Sequence, residues 1–342
     1  MQKYTIAVDA MGGDNAPAAI VAGCHEALRE MDDIHILLCG PEEELRSQLK
    51  DAGNLTDRIT IVHAPDVISM HEAPMMAVRK KTDSSIVRAM LEVKNGSAQA
   101  FVSAGSTGAV LAGGMIRIGR IRGIDRPALA PVIPGKNHPF LLIDSGANVD
   151  CQAEYLVQFG MMGSIYMEKV MGVKNPKVGL VNIGVEEEKG NQMSKKAFGL
   201  MKEQKVFNFV GNVEAREVPT GDVDVIACDG FDGNIILKYT EGLASALTGV
   251  LKEELLGGGL KEKIGALLIK PALKRFKGRL DSEEHGGAPL LGVNAPMIKA
   301  HGSSEARGIK NALRQARTMI EGDVTGKIRD AVEKLTPAEE EK

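Results

Sequence analysis

The stretch Phe101-Val-Ser-Ala-Gly-Ser-Thr-Gly-Ala109 decides the fold, because an apolar segment gives way there to small and hydroxylated residues. Residues 98–102 predict a buried strand, and the Ala/Val/Leu-rich segment from Ala109 predicts a helix. A Gly/Ser/Thr loop at that junction offers backbone N–H groups and the positive end of the helix dipole, which together bind anions. An ordinary tight turn with a helix N-cap is the alternative. The number of similar loops decides between the two.

Three further loops of small residues follow predicted strands, at Asp9–Pro17, Asp144–Asn148 and Asp229–Asn234. Predicted strands alternate with helices from Tyr4–Val8 to Val223–Ala227, which is typical of an α/β fold with a doubly wound, mostly parallel sheet and helices on both faces. Ligands of such sheets bind beyond the carboxyl ends of the strands. We therefore expect the four loops to line one crevice at one edge of the sheet.

The composition is that of a globular enzyme and argues against several other classes. The 342 residues are 44% hydrophobic and 4% aromatic, with a formal net charge of −3, so a nucleic-acid partner is not expected. No apolar run reaches the roughly 18 residues that span a bilayer, and no signal peptide is recognisable, so a cytoplasmic location is expected. The 4 cysteines have no CxxC spacing and are expected to be reduced and buried.

Familiar nucleotide and hydrolase motifs are absent from the sequence. It has no GxGxxG after a strand, no GxxxxGK(S/T), no HExxH and no GxSxG. These absences argue against a Rossmann dinucleotide site, a P-loop, a zincin and an α/β-hydrolase, and no cofactor is predicted. The acidic run Glu186–Glu188 could hold Mg²⁺, but adjacent residues rarely converge on one ion, so no metal site is predicted.

Two polar residues are candidate catalytic groups. Lys189 follows the acidic run in a loop after a predicted strand. It belongs either to a solvated charged turn or to the crevice, where it would neutralise phosphate or protonate a leaving group. Asn234 either caps the following helix or donates to a developing oxyanion. His285 and His301 lie in Gly-rich segments and are either structural hydrogen-bonding residues or acid–base groups.

A basic segment over residues 260–280 differs from the rest of the chain. Apolar residues at positions 260, 264, 267 and 268 have helical spacing, and Pro271 is expected to end or kink the helix. Such an amphipathic helix could pack on its own core or a partner subunit, lie on an anionic membrane, or dock an acidic carrier protein. Residues 255–259 are expected to form a flexible hinge. The candidate docking residues are Lys261, Lys263, Ile264, Leu267, Leu268, Lys270, Lys274, Arg275, Phe276 and Lys277.

Taken together, the motifs resemble those of the bacterial phosphate acyltransferase family, PlsX. The motifs that show the resemblance are Val8–Pro17, Ser103–Ala109, Asp144–Asn148, Cys228–Asn234, Gly286–Gly292 and His301–Ser304. The resemblance implies reversible conversion of an acylated acyl carrier protein and phosphate into acyl phosphate and free carrier, for phospholipid synthesis. It also implies a homodimer at the inner face of the cell membrane, a downstream glycerol-3-phosphate acyltransferase, and a fold similar to phosphotransacetylases and to isocitrate/isopropylmalate dehydrogenases. The family's active-site Lys and Asn fall on Lys189 and Asn234.

Substrate and phosphate binding is predicted for polar residues and glycines of the four loops and for one histidine. These residues are Asp9, Gly12, Gly13, Asn15, Ser103, Gly105, Ser106, Thr107, Gly108, Asp144, Ser145, Asn148, Asp232 and His285. Residues 1–325 are expected to form one catalytic domain of two lobes, from which residues 255–280 protrude. Residues 326–342 are expected to be a helix end and a charged tail.

Direct attack of phosphate on the thioester is favoured over a covalent route through Cys228 or Cys151, because neither thiol has an evident His partner. Three other functions are weighed against this one. A phosphotransacetylase would use an acyl-CoA thioester instead. A decarboxylating dehydrogenase would need a nucleotide loop and metal ligands that are not evident. A non-catalytic membrane scaffold that recruits acyl carrier protein would leave the four loops unexplained.

Overall fold

A computed structural model describes residues 3–50, 53–257, 259–279 and 282–335. The strands are β1 (Tyr4–Asp9), β2 (Ile34–Gly40), β3 (Ile59–His63), β4 (Ala100–Ser103), β5 (Ala128–Leu129), β6 (Val132–Ile133), β7 (Phe140–Ile143), β8 (Lys177–Asn182), β9 (Asn208–Glu214), β10 (Val225–Ala227), β11 (Ala288–Leu291) and β12 (Met297–Lys299). The helices are α1 (Ala18–Glu30), α2 (Glu42–Gln48), α3 (Pro74–Lys80), α4 (Ser85–Lys94), α5 (Thr107–Gly113), α6 (Ala153–Lys169), α7 (Gln192–Lys202), α8 (Gly230–Gly257), α9 (Leu260–Arg279), α10 (Ala306–Glu321) and α11 (Val324–Val332).

The described strands form two sheets. One has the order β3-β2-β1-β4-β12-β11-β5, and the other has the order β6-β7-β10-β8-β9. Most neighbouring strands are parallel; the antiparallel pairs are β12 with β11, β11 with β5, and β6 with β7. The mostly parallel α/β arrangement predicted from the sequence is confirmed. The expectation that the four loops share one sheet edge is wrong, because each sheet carries two of them.

Alternate residues of β1 face two different helical layers. Ile6 and Val8 pack in a core with Ile309 of α10. Ala7 points the other way, into a core with Met90 of α4. Because side chains alternate along a strand, a parallel strand buried on both faces is apolar at nearly every position. The apolar run of β1 therefore follows from its central place in the sheet.

The apolar run Leu129–Ile133 is divided between the two sheets. Leu129 pairs with Leu290 in the first sheet, and Val132 pairs with Leu141 in the second. Pro131 lies between the two short strands and has no N–H to donate to a sheet. The proline thus marks the point at which the chain passes from one sheet to the other.

Two long helices, α8 and α9, follow the second sheet. α8 continues through Gly257, so the hinge expected at residues 255–259 does not begin at Leu255. α9 includes Pro271 within its length, so the proline does not end the helix. Of the described helices, none combines the length and the apolar character needed to cross a membrane. α11 ends at Val332, and residues 336–342 of the helix end and tail expected over 326–342 lie outside the described residues.

Candidate functional site

A cavity of about 680 Å³ is lined by residues from both sheets. Three of the four predicted loops contribute to it, through Thr107, through Ser145 and Gly146, and through Asn234. The fourth loop, Asp9–Pro17, lies behind the cavity wall and supports it. The strand ends therefore meet at a common site, although they belong to two sheets.

Asp9 and Ser103 form a buried hydrogen-bonded pair beneath the wall. The Ser103 hydroxyl donates to Asp9 Oδ2 at 2.7 Å and accepts from the Gly105 N–H at 2.9 Å. Burial raises the pKa of Asp9, and hydrogen bonds from serine hydroxyls and the Met11 N–H oppose that rise. Both side chains thus fix the Ser103–Gly108 loop and have their hydrogen-bonding groups engaged within the protein.

The Asp9–Pro17 loop holds the His301–Ser304 segment in place. Asn15 Nδ2 donates to the Ser303 carbonyl at 3.1 Å, and the Asp14 N–H donates to the Gly302 carbonyl at 2.8 Å. A Cβ at Gly12 would lie 2.6 Å from the Gly105 N, so no side chain fits between the Asp9–Pro17 loop and the Ser103–Gly108 loop. The glycine permits the close approach that joins them.

Asp144 organises the third loop. It is fully buried, and its two carboxylate oxygens accept from the N–H groups of Leu129, Ala147 and Asn148 at 2.6–3.2 Å. The Asn148 side chain donates to the same carboxylate at 3.0 Å. The Ser145 hydroxyl donates to the Leu129 carbonyl at 3.0 Å. Burial raises the pKa of Asp144 against these bonds.

Asn234 is the fifth residue of α8, which begins at Gly230. The interpretation of Asn234 as an N-cap is therefore wrong. Its side chain lines the cavity and faces Gly146, where a Cβ would lie 3.5 Å from Asn234 Oδ1. Gly146 has φ +130°, a conformation that other residues rarely adopt. The pair places an amide group at the cavity beside the third loop.

Lys189, Asp232 and His285 are not among the described residues that line the cavity. Lys189 is exposed, and its carbonyl accepts from Asn182 Nδ2 at 3.0 Å. Asp232 is exposed, two positions before Asn234. His285 is half-buried, and burial lowers its pKa. Their roles in binding or catalysis stay predictions.

The remaining loop positions differ in what they face. Thr107 is exposed at the start of α5 and lines the cavity, whereas Ser106 precedes it without lining the cavity. A Cβ at Gly108 would lie 2.6 Å from Pro74 Cγ, so this glycine permits packing against α3. Gly13 lies behind the wall, where a Cβ would be 2.9 Å from the Gly302 carbonyl.

Lys299 at the end of β12 also lines the cavity, although no sequence motif had pointed to it. Lys299 is only 7% exposed. Burial lowers its pKa to about 8, and the nearby charge of Lys238 adds to the effect. The available signal was a single lysine in an otherwise apolar strand. His301 and Ser304 also line the cavity, and His301 Nδ1 lies 2.8 Å from Ser303 Oγ.

The four cysteines of the chain are free thiols, and Cys151 is half-buried while the others are buried. Burial raises the pKa of Cys228 well above its usual value, and the carboxylates of Asp144, Asp229 and Asp232 raise it further. Burial likewise raises the pKa of Cys151 to about 11. Thiolates are the nucleophilic form of cysteine, so these environments disfavour a covalent route.

Several apolar side chains described on α9 do not pack on the core of this chain. Ile264, Leu267, Leu268 and Phe276 are exposed, and Leu268 reaches 76%. The interpretation that this helix packs on its own core is therefore wrong for these residues. The basic residues Lys270, Lys274 and Arg275 are exposed on the same helix. The side chains of Lys261, Lys263 and Lys277 lie outside the described part of the structure.

Comparison with known proteins extends over nearly the whole chain. Residues 4–327 match the family described as fatty acid synthesis protein. The chain is 52% identical to a phosphate acyltransferase of Clostridium perfringens strain SM101 over 329 residues, covering 96% of this chain and 97% of that protein. It is 52% identical to the phosphate acyltransferase of Clostridium acetobutylicum over 330 residues, covering 96% and 99%.

Two solved structures share the fold at low sequence identity. One is EutD phosphotransacetylase from Staphylococcus aureus, with a TM-score of 0.62, 14% identity and coverage of 93% of this chain and 94% of that one. The other is a phosphotransacetylase from Streptococcus pyogenes, with a TM-score of 0.62, 18% identity and coverage of 93% of this chain and 94% of that one. The expected likeness to the phosphotransacetylase fold is confirmed.

Proposed function

This chain belongs to the phosphate acyltransferase family of fatty acid synthesis proteins, and we propose that it transfers a fatty acyl group from an acylated acyl carrier protein to inorganic phosphate. The observation that carries the proposal is the mixed lining of the cavity. Its lining combines the hydroxyl, amide and ammonium-bearing residues Thr107, Asn234 and Lys299 with apolar residues such as Ile133 and Leu237. An activated fatty ester and an anion require that combination.

The proposed reaction is direct attack of a phosphate oxygen on the thioester carbonyl. A carbon–oxygen bond forms, the carbon–sulfur bond breaks, and the carrier leaves as its thiol after taking up a proton. Phosphate is already ionised at neutral pH, so it needs positioning more than a strong base. The activation barrier lies in forming the anionic tetrahedral centre and in expelling the thiolate of the carrier. The protonated state of the buried cysteines favours this route over an acyl-cysteine intermediate.

Within this reaction, the Asn234 side chain would donate a hydrogen bond to the oxyanion, and the loops that follow β4 and β7 would surround the phosphate. Lys189 would pair with phosphate or with the departing sulfur. The exposed position of Lys189 outside the cavity means that its loop would have to move toward the thioester when substrate binds. Residues 1–325 would act as one catalytic domain of two lobes.

Three associations complete the proposal. The acyl carrier protein would be the acyl donor, two copies of the chain would form a homodimer, and α9 would contact the anionic inner face of the cell membrane. Exposed leucines beside exposed lysines on α9 support the membrane contact, because apolar side chains insert while cations meet anionic headgroups. The acyl phosphate would then pass to a glycerol-3-phosphate acyltransferase.

The proposal is tested by mixing the purified protein, an acylated carrier protein and inorganic phosphate. We expect acyl phosphate and free carrier thiol in equal amounts. The likeness to phosphotransacetylases favours a second candidate, an acyl-CoA-dependent enzyme, so both donors are compared in competition. Preference for acyl-CoA would replace the proposed donor. Release of carrier thiol in the absence of phosphate would instead indicate a covalent intermediate.

A further inference from the structure

Lys299 occupies the carboxyl end of β12, beside the Ser103–Gly108 loop that follows β4. β12 is parallel to β4, and their register places Lys299 opposite Ser103, the last residue of β4. Lys299 lines the cavity while remaining 7% exposed. A positive charge is therefore fixed at the strand edge where ligands of parallel sheets bind.

The ammonium group is buried without a close carboxylate. Lys299 Nζ donates to the Ala104 carbonyl at 3.5 Å and to the Ala300 carbonyl, which accounts for two of its three N–H donors. Among the described residues, no carboxylate lies within 4 Å of Lys299 Nζ, whose hydrogen bonds go to carbonyl groups alone. Asp14 and Asp9 attract the Lys299 ammonium from a longer range and raise its pKa, whereas Lys238 repels it and lowers the pKa.

Such an arrangement is unfavourable in the protein without ligand. A buried cation that lacks a close counter-charge costs free energy, and the lowered pKa of Lys299 is one consequence. An anion in the cavity would supply the missing charge. Thr107 and Ser304 line the same cavity, and their hydroxyl groups can donate to an oxyanion.

The backbone at Gly287 packs tightly against the end of β12 that carries Lys299. Gly287 lines the cavity and has φ +137°. A Cβ there would lie 2.5 Å from the Lys299 carbonyl oxygen. Any side chain at position 287 would therefore displace the end of β12, and the lysine with it.

We propose that Lys299 binds the phosphate substrate through its ammonium group and is a principal determinant of phosphate affinity. This inference rests on the proposed function for the identity of the anion. It assigns a binding residue that lies outside the four loops, on the strand adjacent to β4.

The test is Lys299→Met, which keeps the length of the side chain and removes its charge. We expect the KM for phosphate to rise by roughly tenfold or more, as for loss of a charge-assisted hydrogen bond. The KM for the acylated carrier is expected to stay within about twofold, since the apolar wall is unchanged. Lys94→Met, an exposed lysine on α4 outside the cavity lining, is the matched control and should change neither constant.

Thermal unfolding separates binding from a structural role. If Lys299 stabilised the fold, its replacement would lower the melting temperature. If it is instead a buried charge without a close partner, its replacement should leave the melting temperature of the free protein unchanged or higher. Inorganic phosphate should raise the melting temperature of the natural protein and not that of Lys299→Met. An unchanged KM for phosphate, or an equal rise in both KM values with a lower melting temperature, would overturn the inference.

The phosphate titration also distinguishes this inference from the proposed function. If the natural protein forms no acyl phosphate yet shows a phosphate-dependent rise in melting temperature that Lys299→Met abolishes, the inference stands and the proposed reaction is wrong. If the rate of acyl phosphate formation depends on phosphate concentration in the same way in both proteins, the proposed reaction stands and Lys299 is not its phosphate-binding residue.

Discussion

Asp144 shows how one buried carboxylate shapes the site at the residue scale. Each of its oxygens accepts hydrogen bonds from two N–H groups, and together they fix Leu129 and the Ser145–Asn148 loop. An asparagine side chain keeps the size but places an NH₂ group against two of these donors. The loop that lines the cavity would then lose part of its support.

We therefore expect Asp144→Asn to lower the free energy of unfolding by roughly 3 kcal/mol, because buried donors lose a charged acceptor. Activity should fall as well, since Ser145 and Gly146 line the cavity. Urea unfolding followed by circular dichroism measures the change. Asp222→Asn is the matched control, as its carboxylate is exposed and accepts from Asn137 Nδ2. Equal stability of Asp144→Asn and the natural protein would contradict this account.

Asn234 is expected to act on the reaction and hardly on the fold. It is exposed to the cavity within α8, and alanine is a better helix former. Asn234→Ala should lower turnover by roughly a hundredfold or more, the usual effect of losing one oxyanion donor. Steady-state kinetics with the acylated carrier measures it, and Asn95→Ala on the surface serves as control. Full turnover in Asn234→Ala would remove this residue from the mechanism.

At the scale of single elements, α9 is unusual because its apolar side chains are turned away from the core. Leu267 and Leu268 are 69% and 76% exposed. Large exposed leucines that neighbour one another mark a surface that is covered in use. The exposed basic residues on the same helix favour an anionic membrane as that cover.

The double variant Leu267→Glu/Leu268→Glu should release the protein from anionic vesicles. Transfer of each leucine out of the lipid loses about 1.5–3 kcal/mol, so partitioning should fall by roughly a hundredfold or more. Turnover with the carrier in solution should be largely unchanged. Vesicle flotation is the measurement, and Val210→Glu, also an exposed apolar residue, is the control. Unaltered flotation would show that the leucines face a partner subunit.

The elements themselves were largely predictable because each is encoded locally. The apolar run of β1 and the small-residue loop before α5 identify their structures without reference to the rest of the chain. The direction of a side chain is not encoded in this way. Asp9 and Asp144 were predicted to bind substrate, yet both have their carboxylates engaged by the protein. Lys299 was missed, because only the pairing of β12 with β4 brings it to the site.

At the scale of the whole molecule, the cavity depends on the division of the strands between two sheets. Strand pairing joins distant segments, and nothing in the local pattern states which sheet a strand enters. Pro131 was the one local sign of the division, and Val132 on its far side begins the second sheet. Residues 131–134 consequently form an apolar wall of the cavity, and one face of α8, which carries both apolar and polar residues, forms another wall.

That face of α8 includes Leu237, Glu241, Ala244 and Thr248, which recur at helical spacing along the cavity. A helix rises about 1.5 Å per residue, so the face is roughly 17 Å long, a length suited to a fatty chain. Ala244 is the small residue midway along it. A larger side chain at this position would block the groove and leave room only for shorter acyl groups.

Ala244→Phe should therefore shift selectivity from long to short acyl donors. Exclusion of three methylenes from the groove would cost roughly 2–3 kcal/mol, or about a fiftyfold loss in kcat/KM for a palmitoyl donor. An octanoyl donor should be affected little, because its chain would end before the new ring. Ala246→Phe makes the same change on the same helix outside the cavity lining and should preserve selectivity. A parallel loss for both donors in Ala244→Phe would mean that the acyl chain does not follow α8, and that the two sheets enclose only the reacting groups.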